Sequence, residues 1–217
     1  MRQITKIYNV YNYVELNKEA QEKARREAYD FLTEIKCDFL KEDLEDRLKA
    51  NYKIIPDELY YSLSYCQGDG LCFTLKNIFS YTTLKDAITE NSDEGLNAFE
   101  KAVFELDPSK RDLIIEYLNA DYNVSIQKTS WSYQHSNTCS FEWEFYSNDD
   151  HLKEKEVNDA VDELCARTGI LRDLYDRICY DLEETGYEIA YPNEEEVLEY
   201  IEDQGFEFLE GGSIFTE

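Results

Sequence analysis

After Arg177 the chain contains no lysine, arginine or histidine, yet thirteen carboxylates follow. A stretch so one-signed repels itself on collapse, so it folds only where its acids face water and its apolar residues form a buried seam. Residues 194–204 meet that requirement as a helix. Asn193 supplies a side-chain cap, and Val197, Leu198 and Ile201 form an apolar stripe. On the opposite face Glu195, Glu199 and Glu202 recur at four- and three-residue spacing, which sets neighbouring carboxylates about 5–6 Å apart. Gly211 and Gly212 then suit the turn of a short closing hairpin.

The asymmetry extends upstream. Residues 149–217 hold 22 acids against 5 bases, a net of −17, whereas residues 1–148 hold 26 against 17, a net of −9. An acidic helical region at 149–217 is therefore expected beside an α+β core at 1–148, the two packed as one domain. A uniform acid surplus would serve solubility, while an asymmetric one suggests a face aimed at a cationic partner. The candidate partner-binding residues are Glu183, Glu184, Glu194, Glu195, Glu196, Glu199, Glu202 and Asp203. The total of −26 argues against direct nucleic-acid binding, because affinity for phosphate backbones comes mainly from Lys and Arg. A small basic cluster at Lys23, Arg25 and Arg26 does not reverse it. Ordered carboxylates can instead occupy a groove built for phosphates.

Eighteen tyrosines and eleven phenylalanines, against three prolines and eight glycines, describe a chain of regular elements with a substantial core. Residues 4–14 are β-branched and aromatic and predict a strand. Asn17 caps a helix in which Ala20, Ala24, Ala28, Phe31 and Ile35 form the inward face; the pattern resumes through Phe39, Leu44 and Leu48, predicting a second helix or a bend near Cys37. Residues 59–76 predict a hairpin about Gly68-Asp69-Gly70, and residues 122–130 with 138–147 a second one, with Phe141, Trp143 and Phe145 on its inward face. Between them fall a helix over 96–106 and another starting at Asp107-Pro108. From Val157 to Leu182 a four-three alternation, interrupted at Gly169, fits either a core helix or the seam of a homodimer. The fold class expected is α+β, an antiparallel sheet built from hairpins and covered by helices.

No phosphate loop, nucleophile elbow, zinc-protease helix or kinase signature is present, so the common hydrolases and phosphotransferases are disfavoured. Asp69 could hold a cation but lacks the spaced oxygen ligands of a calcium loop, which leaves a turn as the simpler reading. Cys66, Cys72, His135 and Cys139 could converge on zinc only if the two hairpins adjoin; otherwise they are small buried thiols. No cofactor and no metal is expected. Six scattered cysteines and the lack of an apolar run of membrane-spanning length point to a reduced, cytoplasmic setting.

Three stretches carry a resemblance: YNVYNYVELNKEAQEKARREAYDFL near the start, LSYCQGDGLCFTL in the middle, and LYDRICYDLEETGYEIAYPNEEEVLEYIEDQGFEFLEGGSIF at the end. Together, over under half of the chain, they resemble a loose family of uncharacterised bacteriophage proteins often labelled antitoxins of a toxin–antitoxin stability system. The resemblance brings no catalytic residues. It implies a phage setting in a bacterial host cell, in which a small acidic protein blocks a host nucleic-acid-binding defence complex, as an anti-CRISPR or anti-restriction inhibitor. Neutralisation of a basic toxin is the second expectation, and a metal-dependent enzyme without a legible motif the third.

Overall fold

The computed structural model describes residues 6–119, 123–144 and 169–216, together with 155, 159, 162, 164 and 165. The protein is mixed α+β, as its residue patterns predict. In chain order it comprises α1 (Lys18–Tyr52), β1 (Glu58–Ser62), β2 (Gly70–Thr74), α2 (Tyr81–Glu90), α3 (Ala98–Phe104), α4 (Pro108–Asn119), β3 (Asn123–Lys128), β4 (Cys139–Glu144), α5 (Ile170–Ala190) and α6 (Glu194–Gln204). Two compact units divide it: Met1–Leu40 with Tyr187–Glu217, and Lys41–Gly186. The division therefore joins the two ends of the chain in one unit, and does not fall at residue 148.

The first unit is organised by small residues. Asn17 Oδ1 accepts the Ala20 N–H at 3.0 Å and starts α1. Ala20, Ala24, Ala28 and Leu32 follow at strict four-residue steps, all buried, and pack with Val197 and Ile201 of α6 and with Phe208. At the end of the chain Gly212 has φ +83°, and a Cβ there would stand 2.1 Å from the Ala20 carbonyl oxygen. Both facts require glycine at that turn. Leu209 N–H donates to Ser213 O at 2.8 Å, and Phe208 pairs with Ile214, so the closing hairpin forms where Gly211-Gly212 predicts it.

Three expectations about this half of the chain fail. Of the strand expected at 4–14, residues 4 and 5 lie outside the described residues and 6–14 form no strand: only Tyr11 pairs, in an isolated bridge to Phe208, and a 3-10 turn follows at Tyr13–Glu15. There a local signal defeats β propensity, because Glu15 reaches back to the Asn12 N–H at 2.7 Å and closes a capping box. The bend near Cys37 is also absent. No Gly or Pro lies between Lys18 and Tyr52, and Leu40, Leu44 and Leu48 resume the four-residue buried row in a single helix. Phe31, Ile35 and Phe39 stand one position off that row and are exposed rather than inward.

In the second unit β1 pairs with β2 from Glu58↔Thr74 to Ser62↔Gly70, and β3 pairs with β4 from Asn123↔Glu144 to Lys128↔Cys139, both antiparallel. The two ribbons touch through a Leu75↔Ile126 bridge and through Ile78 N–H donating to Val124 O at 2.9 Å. Against them lies α5, with Leu171, Tyr175, Ile178 and Leu182 all buried. Those residues are four of the expected helical seam, and within this unit they serve a core; Val157, Val161 and Thr168 lie outside the described residues. The Tyr175 ring meets Phe73 at 4.9 Å between centroids and Phe141 at 6.0 Å, and Phe141 meets Phe99 edge-on at 6.2 Å, so Phe141 faces inward as expected. The Trp143 side chain and Phe145 lie outside the description.

Buried polar groups in this unit close loops and helix ends. Asp69 accepts from Ser64 N–H at 2.6 Å, Cys66 N–H at 2.8 Å and Ser62 Oγ at 2.9 Å, gathering the 62–69 turn around one carboxylate. Glu100 accepts Ser80 N–H at 2.8 Å and Asn97 N–H at 2.9 Å, tying the N-terminus of α2 to that of α3; burial raises its pKa against those two bonds. The buried Arg172 donates to Cys139 O at 2.7 Å and is neutralised by Asp176 at 2.7 Å.

Candidate functional site

The acidic helix α6 forms where the sequence predicts it. Asn193 Oδ1 accepts the Glu196 N–H at 3.1 Å, Glu196 returns a bond to the Asn193 N–H at 2.8 Å, and Gly205 ends the helix in the left-handed conformation at φ +60°. Three carboxylates in the first turn, Glu194, Glu195 and Glu196, suit the positive end of the helix dipole. Val197 and Ile201 are buried beneath, whereas Leu198, expected on the same stripe, is 37% exposed. The helix therefore presents a narrower apolar edge than a three-residue stripe implies, Val197 and Ile201 alone entering the cluster of Leu16, Ala20, Ala24, Ala28, Leu32 and Phe208.

The eight candidate carboxylates separate into three groups. Glu194 receives Arg25 at 2.6 Å and Glu196 receives Lys36 at 2.6 Å. The Lys36 ammonium, with the Asn193 backbone N–H, holds the Glu196 carboxyl below the usual range. The premise that these acids lack internal cations is thus corrected: α1 supplies two, one of them from the basic cluster at Lys23, Arg25 and Arg26. Lys23 from the same cluster donates to Ser213 Oγ at 2.5 Å, so the cluster secures the chain's last segment. The sequence marks Lys23, Arg25 and Arg26 as a basic cluster too small to bind nucleic acid, and nothing in its spacing singles out Lys36.

Glu183 and Glu184 belong to the other unit. Glu183 is half-buried, and burial raises its pKa while His135 pulls it down. Glu184 accepts the Tyr180 hydroxyl at 2.8 Å. Glu195, Glu199, Glu202 and Asp203 remain, all exposed and, among the described residues, without a cation on them. The outward row is therefore real and narrower than eight residues.

The thiols have a different geometry from the one that a zinc site requires. The adjoining hairpins bring Cys72 and Cys139 together in the interior, but Cys66 is exposed, and among the described residues no three His, Cys, Asp or Glu side chains gather to hold a metal. Lys128 Nζ lies 3.2 Å from Cys72 Sγ and also donates to Tyr133 O at 3.0 Å and Gln134 Oε1 at 2.9 Å. The bond with Cys139 and the Lys128 ammonium hold the Cys72 thiol below its ordinary range against burial, and Cys139 is pushed up in turn. Both sulfurs are buried, so this arrangement fixes a strand crossing and presents no nucleophile to solvent. Asp69 is surrounded by donors from its own turn, which is the turn reading of that residue.

No helix among the described residues is long and apolar enough to cross a membrane. The chain matches no family model, no curated protein and no solved structure.

Proposed function

We propose that this chain is an acidic binding protein: an inhibitor of the phage anti-defence kind, whose carboxylate row Glu195, Glu199, Glu202 and Asp203 occupies the basic, nucleic-acid-binding surface of a host defence complex. One observation supports it above the rest. Glu194 and Glu196 find cations in Arg25 and Lys36, while the outward row on the same helix has no cation on it among the described residues. Unpaired like charges on a rigid helix repel one another and gain most from a cationic partner. Their repeat of about 5–6 Å gives a linear array of negative charge, which a groove lined with Lys and Arg accepts in place of a phosphate strand.

The test is retention of a nucleic-acid-binding protein from a bacterial host extract, identified by mass spectrometry. The wild-type chain should retain it, added duplex DNA or RNA should displace it, and Glu195→Lys, Glu199→Lys, Glu202→Lys together should lose it. A retained partner indifferent both to nucleic acid and to that triple substitution would overturn the reading.

A further inference from the structure

Phe31, Ile35 and Phe39 form a row at four-residue spacing on α1 and are 47%, 44% and 56% exposed. Three large apolar side chains in one line on an exposed helix face are a patch, not scatter. Their exposure is built into the helix. The buried row Ala20, Ala24, Ala28 and Leu32 also advances by four, so a second row one position behind Leu32 runs beside the core and never enters it. Asp30, Glu34 and Asp38 make a third parallel row, all exposed and none paired with a cation among the described residues. Phe31 and Glu34, and Ile35 and Asp38, are three apart and hence neighbours on the helix surface. Among the described residues no base pairs with that flank: Lys36 is engaged by Glu196, and Lys41, three positions past Asp38, by Glu45 and Glu58, while Arg26, four positions before Asp30, borders its end.

We propose that this face of α1 is a second docking surface, separate from the carboxylate row on α6, and that its occupant is a basic amphipathic helix of another protein. Such a helix would set its apolar row against Phe31, Ile35 and Phe39 and its Lys or Arg side chains against Asp30, Glu34 and Asp38. Charge selects this occupant over the others. A second copy in the same contact would bring acidic flank towards acidic flank in a chain of net charge −26, and an anionic membrane surface would be repelled by the same flank. Four-residue ridges on both helices would interdigitate at the usual crossing of about −50°.

The test uses a synthetic leucine–lysine amphipathic helix as probe, with a lysine–alanine peptide of equal charge as control, against the full chain. The leucine–lysine peptide should bind, and Phe31→Gln, Ile35→Gln, Phe39→Gln together should weaken it by about tenfold or more while leaving the circular dichroism spectrum unchanged. Asp30→Asn, Glu34→Gln, Asp38→Asn should also weaken it and should flatten its salt dependence. The Glu195, Glu199 and Glu202 reversals should leave it unaltered, so this inference and the proposed function stand or fall separately. Equal affinity for the two peptides, or binding indifferent to both α1 triples, overturns the proposal. A dimer in sedimentation that the Gln triple dissolves, or adsorption to anionic vesicles that it abolishes, overturns the assigned occupant in favour of a second copy or a lipid surface.

Discussion

The Tyr175 hydroxyl both donates to Phe73 O at 2.8 Å and accepts from Phe73 N–H at 3.1 Å. From the Leu75↔Ile126 bridge the next rung of an antiparallel ladder would join Phe73 to Lys128. A phenol on α5 takes that rung, and the four strands remain two ribbons where they would otherwise make one sheet. Tyr175→Phe keeps the ring contacts but strands two buried backbone groups, so stability should fall by about 1–3 kcal/mol. Tyr180→Phe, which removes an exposed hydroxyl, should cost less than about 0.5 kcal/mol. Urea denaturation midpoints of the two variants decide it.

Gly211 and Gly212 are adjacent in the closing turn but do different jobs. Gly212→Ala adds a left-handed backbone penalty of about 1–2 kcal/mol and a clash with the Ala20 carbonyl. Gly211→Ala meets nothing within 4 Å. Thermal melts should show a loss of at least about 2 kcal/mol for the first, and little change for the second. Equal melts would mean that the chain's last segment is not held against α1.

Association with a cationic partner through α6 should depend steeply on salt. The field of the exposed row reaches about 8 Å at physiological ionic strength, and raising salt shortens that reach. The triple reversal of Glu195, Glu199 and Glu202 to Lys should slow association by about tenfold or more, whereas Asp86→Lys, Glu90→Lys, Glu94→Lys, equally exposed in the other unit, should not. Stopped-flow association rates with the identified partner separate a directed face from bulk charge.

The Cys72 thiol should make stability depend on pH. Its folded pKa lies below the ordinary value of 9.0, held there by Cys139 and Lys128, so in that interval the unfolded chain binds the extra proton. Stabilisation is then complete above the unfolded value and is lost as pH falls through the folded one. Lys128→Met should move the folded value up and flatten the rise in melting temperature with pH on the acid side of 9.0. An unchanged slope would show that the thiol pair titrates without the ammonium.

Local signals were legible and distant ones were not. The Asn193 cap, the glycines of the closing turn and the outward placement of Glu195, Glu199 and Glu202 on α6 are read within a dozen residues, and each appears in the structure. The cations on Glu194 and Glu196 come from 169 and 160 residues away, and no local spacing encodes them. Phe31, Ile35 and Phe39 read as inward because they continue the three- and four-residue spacing of Ala20, Ala24 and Ala28. The row one position along, Ala20, Ala24, Ala28 and Leu32, takes the core instead, with the Gly212 turn set against the Ala20 backbone. The Tyr175 phenol was equally hidden, because substituting a side chain for a ladder rung leaves no periodic trace.

The first unit joins residues up to Leu40 with those from Tyr187 onward, and this fixes an order of events during synthesis. At ordinary ribosomal speed the segment between them takes about 7–30 s to emerge, and through that interval the α1 seam has nothing to pack against. A row of leucines or phenylalanines left wet for so long would invite capture by other nascent chains. Within that seam Ala20, Ala24 and Ala28 offer little for another chain to grip, which confines the wet apolar surface of the half-made unit to Leu16 and Leu32 at the seam's ends and to the neighbouring row of Phe31, Ile35 and Phe39.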